Sequence, residues 1–415
     1  MTLSLGAMAA LNIVLSFVCQ CFILATLGAG TETDALFAST AVPQFLLTLV
    51  TGSFVYVLVP MLSVQEEVSR RQHVAGLLRG TTLGFGFLTL ALLATAGLWT
   101  PWMVPGFGPA ETSLTVALTR IHLLWLLLVP LTAVLQSDYQ AREKFLWAQA
   151  ASLVAGAASL LFTIWALPRA GVAAAAWGQV LRAAVELTLL LPAAWGFWRL
   201  SARTTLMAEF WRRVKPLILG ASYYKTDVLV DRLLSSMSPA GGLSLLYLGQ
   251  QIYGAVGQIL NRAIAAPMVP GLARAAELAE WAQFRRTYRA RLRWMLLLSV
   301  LGLAGLWLVG EPILGLVFAR GRLTSGDVHR LWLVMLALVG FFAGGACGQI
   351  TSVAFYSRGQ TRTPIVIGVW TYTVFIPLKV LAFFQFGLMG LAACTSVLFL
   401  LNAAAQYHAL ERDPS

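Results

Sequence analysis

Residues 76–103 read GLLRGTTLGFGFLTLALLATAGLWTPWM, a stretch whose one charge, Arg79, lies near its start. Roughly 20 mostly apolar residues are enough for a helix to cross a bilayer. A backbone in hydrocarbon must satisfy its own hydrogen bonds, which a helix does. Just ahead of the stretch lie Arg70 and Arg71. Long apolar runs recur along the chain, with Arg and Lys crowded into alternate connections between them. Runs of this kind fall at 5–28, 36–62, 76–103, 114–136, 146–167, 172–197, 216–237, 243–271, 293–317, 329–355, 364–384 and 387–408. They predict an all-α polytopic membrane protein with about twelve transmembrane helices. Composition agrees: 59% of residues are hydrophobic and 11% charged, against about 25% charged in an ordinary soluble domain.

The basic residues predict orientation. Nineteen Lys and Arg residues, among them Arg142, Lys144, Arg199, Arg203, Lys215, Arg289 and Arg358, fall in alternate connections or the tail, and five (Arg120, Arg169, Arg320, Arg322, Arg330) fall on the opposite side. Both termini are therefore expected in the cytoplasm of a bacterial inner-membrane protein. The net charge of +12 reads as this topology signal plus attraction to anionic lipid, and not as nucleic-acid binding, since no soluble basic module is present. The first run begins near the N-terminus without a basic stretch before it and reads as a retained helix. Cys19, Cys21, Cys347 and Cys394 lie inside apolar runs, and the four histidines have no metal-ligand spacing. No phosphate-cradling glycine loop occurs. These features predict no metal, no cofactor and no enzyme chemistry.

The halves repeat at an offset of about 210 residues, the kind of period that decides transporter folds. Val59-Pro60-Met61-Leu62 answers Val269-Pro270-Gly271-Leu272, Arg120 answers Arg330, and Tyr139-Gln140-Ala141-Arg142 answers Tyr356-Ser357-Arg358. The expected organisation is a six-helix lobe over 1–198, a basic linker over 199–215 and a second six-helix lobe over 216–415. The lobes are parallel and related by a pseudo-twofold axis, with a cleft between them. Gly340, Gly344, Gly345 and Gly348 would soften the tenth run for a rocking motion; small residues equally permit close helix packing.

Ionisable groups at membrane depth are costly and usually functional. The seventh run holds Lys225, Asp227, Asp231 and Arg232. Asp227 and Asp231 share a face at i, i+4, Lys225 points elsewhere, and Arg232 is placed to reach the interface. The sixth run holds Arg182 and Glu186, again i, i+4, a spacing at which they would neutralise each other. Arg262 lies beside Asn261 midway along the eighth run, with Gln250, Gln251 and Gln258 before it, and Lys379 lies in the eleventh. The first two runs carry Asn12, Gln20, Gln44, Thr48 and Thr51. Either these groups pair and hold helices together, or they line a hydrophilic cavity; their concentration on runs 7 and 8 favours the cavity. A Lys379–Asp231 pair is attractive, because either charge alone in the membrane is destabilising.

Gly28-Ala29-Gly30, Thr33-Asp34-Ala35, Val42-Pro43 and Leu58-Val59-Pro60 together resemble the opening of MurJ (MviN-type) flippases. Asp231-Arg232, Tyr247 and Pro270-Gly271-Leu272 are similar to the family's seventh and eighth helices. Phe318-Ala319-Arg320-Gly321-Arg322-Leu323-Thr324 and Phe355-Tyr356-Ser357-Arg358-Gly359-Gln360-Thr361-Arg362-Thr363-Pro364 complete the resemblance, which spans about residues 5–410. It implies the fold of the multidrug/oligosaccharidyl-lipid/polysaccharide exporter superfamily. It also implies a substrate, a polyprenyl-linked glycan precursor such as lipid II, moved by alternating access. Expected partners are that polyprenyl-phosphate-linked glycan, membrane lipids and an envelope-synthesis protein.

The chain departs from the family where the family holds pyrophosphate. The resemblance implies arginines on the first two helices, but the first run is uncharged from Asn12 to Gln20, and Phe45-Leu46-Leu47-Thr48 follows Pro43. An Asp-Arg dipeptide expected on the eighth helix is Gln250-Gln251 here. Arg182 and Arg262 are candidate substitutes. The resemblance implies fourteen helices as the family's usual number, and this sequence stops after the twelfth run. Some relatives bind sodium at a carboxylate matching Asp231, yet Lys379 stands where a neutral ligand is expected, so a tethered ammonium would replace the ion. The substrate cavity is thus assigned to Asn12, Gln20, Gln44, Arg182, Glu186, Gln250, Gln251, Asn261 and Arg262. A switch or ion-pair set is assigned to Lys225, Asp227, Asp231, Arg232 and Lys379. Two other functions compete: a non-transporting subunit of an envelope glycan synthesis complex, and a multidrug cation antiporter of the same superfamily.

Overall fold

The computed structural model describes residues 2–194, 206–318 and 321–412; linker residues 199–205 and Arg320 lie outside the described residues. Every regular element among those described is helical. In chain order they are α1 (Thr2–Leu27), α2 (Thr31–Ser39), α3 (Ala41–Ser63), α4 (Glu67–Met103), α5 (Pro109–Ala141), α6 (Phe145–Ala170), α7 (Val172–Leu190), α8 (Leu206–Lys225), α9 (Asp227–Ser235), α10 (Gly242–Leu260), α11 (Val269–Glu277), α12 (Trp281–Gly305), α13 (Glu311–Phe318), α14 (Ser325–Ala337), α15 (Val339–Ser357) and α16 (Arg362–Arg412). Among the described residues, 7 stretches are long and apolar enough to cross a membrane, or 8 if the bent pair α14–α15 is one span. The charged helix α7 and the broken stretch from α8 to α11 are not in that set. Each expected run coincides with helix, but several are not single unbroken apolar helices.

The breaks have local causes. Proline offers no N–H to the carbonyl four residues back and crowds it. Pro43 does this to Ser39, where α2 gives way to α3, and nearby Thr40 Oγ1 donates to the buried carbonyl of Phe37 at 2.8 Å. Pro267 and Pro270 do it beyond α10. There the backbone widens into a π turn over Asn261–Ala265, tightens over Ala266–Met268 and restarts as α11. Pro312 follows a second π turn at Leu306–Gly310. Helices α14 and α15 meet at Leu338 with a bend of 42°.

The chain gathers into two compact units, residues 1–237 and 238–415. In the first, α3, α4, α5 and α8 share an apolar core in which Phe54 meets Phe85 and Phe210 edge-on, with centroids 6.4 and 4.9 Å apart. Helices α8 and α9 lie against α3 and α4 of this unit. In the second, Leu272, Phe284, Tyr288, Ile350 and Phe355 are buried together. Gly340 and Gly344 serve close packing inside that unit. A Cβ on Gly344 would stand 2.4 Å from the carbonyl carbon of Phe399, and one on Gly340 would stand 2.7 Å from the Cβ of Ser396. Gly348 has open space. For Gly340 and Gly344 the softening role therefore gives way to the packing role.

Both units use the same local devices at one constant spacing. The N–H of Gly108 donates to Glu111 at the head of α5, and the N–H of Thr324 donates to Asp327 at the head of α14, at 3.2 and 3.0 Å. Beyond α5, Glu143 has φ 59, and beyond α15, Gly359 has φ 74. The next residue then closes back onto the helix, Lys144 onto Tyr139 at 2.9 Å and Gln360 onto Phe355 at 3.0 Å, a recurrent way of ending a helix. Gly171 (φ 63, ψ -155) parts α6 from α7, and Gly387 (φ 61, ψ -146) parts the two halves of α16. This register corrects one expected match. Arg120 lies three turns into α5, whereas Arg330 lies in the second turn of α14, so the two are not equivalent.

Candidate functional site

The first polar cluster joins α7 to α1. Asn12 and Ser16 are one turn apart, so their side chains leave the same face of α1. They offer two acceptors to the guanidinium fork of Arg182, whose Nη1 donates to Ser16 Oγ at 2.8 Å and Nη2 to Asn12 Oδ1 at 2.9 Å. The Ser16 hydroxyl donates onward to the carbonyl of Asn12 at 2.9 Å.

Glu186 lies one turn further along α7 and looks elsewhere. Its Oε1 accepts from Gln136 Nε2 of α5 at 2.5 Å and from Ser152 Oγ of α6. The expected neutralisation of Arg182 by Glu186 is therefore corrected: no salt bridge joins them, and each charge is solvated by neutral groups of other helices. Magnitudes explain the outcome. An i, i+4 ion pair on a helix contributes only about 0.2–0.5 kcal/mol, while a hydrogen bond to a charged group contributes about 1.5–3 kcal/mol.

The second cluster sits where the seventh run breaks. Thr226 ends α8, its Oγ1 donating to the carbonyl of Tyr223 at 2.6 Å. Lys225 is thus the last residue of α8 and Asp227 the first of α9. A cation at a helix C-terminus and an anion at an N-terminus both complement the helix dipole. Lys225 Nζ donates to the backbone carbonyl of Thr48 on α3 at 3.2 Å. One turn before Thr48, Gln44 is partly buried, and its Oε1 finds no hydrogen-bond partner among the described residues. Asp231 and Arg232 are buried on α9. Gln20 is partly buried on α1.

In the second unit, Gln250 and Gln251 are partly buried on α10, while Asn261 and Arg262 open the π turn that follows it. Arg262 is exposed and takes part in no salt bridge among the described residues. Irregular backbone at membrane depth is tolerated where it is buried in protein or faces water, and π turns are frequent at functional sites. Lys379 is completely buried in α16.

Sequence reasoning missed Ser16, Gln136 and Ser152, which are uncharged and look like ordinary packing residues. It also missed a buried carboxylate. Asp138 near the end of α5 accepts from Arg70 Nε at 3.2 Å and from Arg142 Nη2 at 2.6 Å. In the sequence these arginines carry the orientation signal, and Arg142 also the repeat match; Asp138 beside Tyr139-Gln140-Ala141-Arg142 was the available signal for the pairing.

Comparison with known proteins fits this architecture. The profile described as "Lipid II flippase MurJ" matches residues 23–414. The protein named probable lipid II flippase MurJ of Vibrio cholerae serotype O1 is 24% identical, across 98% of this chain and 81% of its own length. Its namesake in Haemophilus influenzae is also 24% identical, across 98% of this chain and 84% of its own. Among solved structures, a lipid II flippase MurJ in an inward closed conformation superposes with a TM-score of 0.83 at 16% identity, covering 98% of this chain and 87% of that one. An inward-facing multidrug resistance MATE transporter of the MOP superfamily also reaches 0.83, at 12% identity, covering 97% and 94%. At such identities the superpositions establish the fold. The profile match runs almost from end to end and follows the residues that carry the resemblance, so this chain belongs to the MurJ family of lipid II flippases.

Proposed function

We propose that this chain, a multi-pass protein of the bacterial cytoplasmic membrane with both termini in the cytoplasm, carries lipid II from one leaflet to the other by alternating access. It does so as a transporter, making and breaking no covalent bond. The observation that carries the reading is the position of two cations. The family resemblance calls for cations on the first two helices, and the sequence of those helices has none. Helix α7 brings the Arg182 guanidinium to Asn12 and Ser16 on α1. Helix α8 brings the Lys225 ammonium to Thr48 on α3, within the stretch after Pro43 where an arginine pair is missing. Charge is supplied from the neighbouring helix instead of from the helix itself. A guanidinium holds phosphate by two parallel bonds; the ammonium acts as a point charge.

In this reading Gln20, Gln44, Gln250, Gln251, Asn261 and Arg262 provide further contacts to the headgroup, with Glu186 orienting α7. Asp227, Asp231, Arg232 and Lys379 form the conformational switch. The duplicated halves are 1–198 and 216–415, joined by 199–215, and an envelope-synthesis protein is the partner that would use the product.

The test is lipid II accessibility at the outer face of cells that depend on this chain for transport. Arg182→Ala and Lys225→Ala should each reduce translocation at unchanged protein level, and Arg182→Lys should restore part of it. Full translocation by both alanine variants, or by Arg262→Ala together with Gln251→Ala, would remove the proposed site.

A further inference from the structure

Helix α12 changes character at one point. Residues 285–293 hold Arg285, Arg286, Arg289, Arg291 and Arg293, and residues 294–310 hold no charge. Trp294, at the change, is 56% exposed, as is usual for an aromatic residue at a membrane interface. Beyond it Leu296, Leu297, Val300 and Leu301 are also exposed, so this face of α12 meets lipid. The boundary between headgroups and hydrocarbon therefore falls at Arg293.

A groove of about 380 Å³ starts at that boundary and runs into the apolar zone between α12, α15 and α16. Leu292, Leu296, Cys347, Leu400, Ala403 and Ala404 give it apolar walls, hollowed by the small residues. Arg289, Arg293 and Tyr407 stand at its polar end. The two arginines are not equivalent. Arg289 is engaged by Glu411, with Nε donating to Oε1 at 2.7 Å and Nη2 to Oε2, while Tyr288 also donates to that carboxylate. Arg293, one turn nearer the hydrocarbon, is exposed and has no salt-bridge partner among the described residues. The polar end thus keeps a net positive charge above an apolar slot. Basic pockets between transmembrane helices at a headgroup surface suit anionic lipids, and a guanidinium suits phosphate.

We propose that this groove is a binding site for an anionic phospholipid, with its phosphate on Arg293 and an acyl chain lying along Leu296, Leu400 and Ala404. The site lies wholly within the second unit and does not depend on the identity of the transported cargo.

The experiment is native mass spectrometry of the full chain, released from detergent after incubation with phosphatidylglycerol or with phosphatidylcholine of the same acyl chains. Phosphatidylglycerol should be retained preferentially. Arg293→Gln should weaken its binding about tenfold, the effect of one charge-assisted contact. Ala404→Leu, which fills the exposed wall without touching a charge, should also reduce it. Arg286→Gln, which lines not the groove but the adjoining basic hollow, should weaken it far less than Arg293→Gln; elution volume and helical content verify that each variant is folded. Equal retention of the two lipids would overturn the proposal. So would an Arg286→Gln loss as large as that of Arg293→Gln, which would mean a diffuse basic surface. Displacement of the bound lipid by a polyprenyl phosphate at equimolar concentration would assign the groove to the cargo and overturn it too.

Discussion

The backbone N–H of Phe341 donates to the side-chain Oγ of Ser396 at 3.1 Å, and the same hydroxyl donates to the carbonyl of Ala337. In an unbroken helix Phe341 would bond directly to Ala337. A hydroxyl from α16 occupies that link, and insertion of a side chain into the helical ladder is a recognised cause of bending. The bend is the 42° between α14 and α15. Gly340 makes the approach feasible, since a Cβ there would collide with the Cβ of Ser396.

Replacing Ser396 by alanine should therefore straighten α14–α15, because Phe341 and Ala337 regain each other. The stability change should be small, about 1 kcal/mol or less, since one set of hydrogen bonds replaces another. Spin labels on α14 and α15 would report the angle, and an unchanged distance distribution would dissociate the hydroxyl from the bend.

Gly344→Ala should destabilise the second unit by about 1–3 kcal/mol, the usual cost of overpacking, because its Cβ meets the backbone of Phe399. Gly348→Ala, into open space, should be neutral or slightly stabilising. Thermal unfolding in detergent of the two variants separates packing from flexibility: similar melting temperatures for both would refute the packing role.

The Asn12–Arg182 contact can be measured by a double-mutant cycle with Asn12→Leu and Arg182→Met. Interhelical hydrogen bonds inside membranes average only about 0.6 kcal/mol. A charged donor with two acceptors should exceed that average and approach the roughly 1.5 kcal/mol of a charge-assisted bond. A coupling near zero would show that α1 and α7 are held by packing alone.

Asp138→Asn should be among the most damaging single changes in the first unit, costing about 3–5 kcal/mol, as expected when a buried ion pair loses one partner. Arg70→Ala should cost less, because Arg142 still neutralises Asp138. Comparing unfolding temperatures of the two variants checks the order, and the reverse order would mean that Asp138 is not the centre of the triad.

Much of the fold was legible because hydrophobic length is a property of consecutive residues. The runs were visible, but the break beside Pro43 was not, because it lies inside the run 36–62, and Pro267 and Pro270 stood only near the end of the run 243–271. The breaks at Thr226 and Leu338 were less visible, since one depends on where α8 and α9 lodge against α3 and α4 and the other on Ser396, remote in sequence. The candidate site was legible as a set of residue types and illegible as a set of pairs. Arg182 and Glu186 show why. Their spacing places them together on one helix, yet each binds a different neighbour, and only the arrangement of α1, α5 and α6 around α7 decides which.

The linear order of residues, by itself, determined that this protein is helical and membrane-spanning, where its runs begin and end, and which unusual charges it carries into the bilayer, because water and hydrocarbon sort side chains one at a time. The tertiary structure decided who meets whom: Arg182 on α1, Lys225 on α3, Asp138 between two arginines, Ser396 inside another helix. Hydrogen bonds act over about 3 Å, and a distance that short between remote residues exists only after the helices have packed.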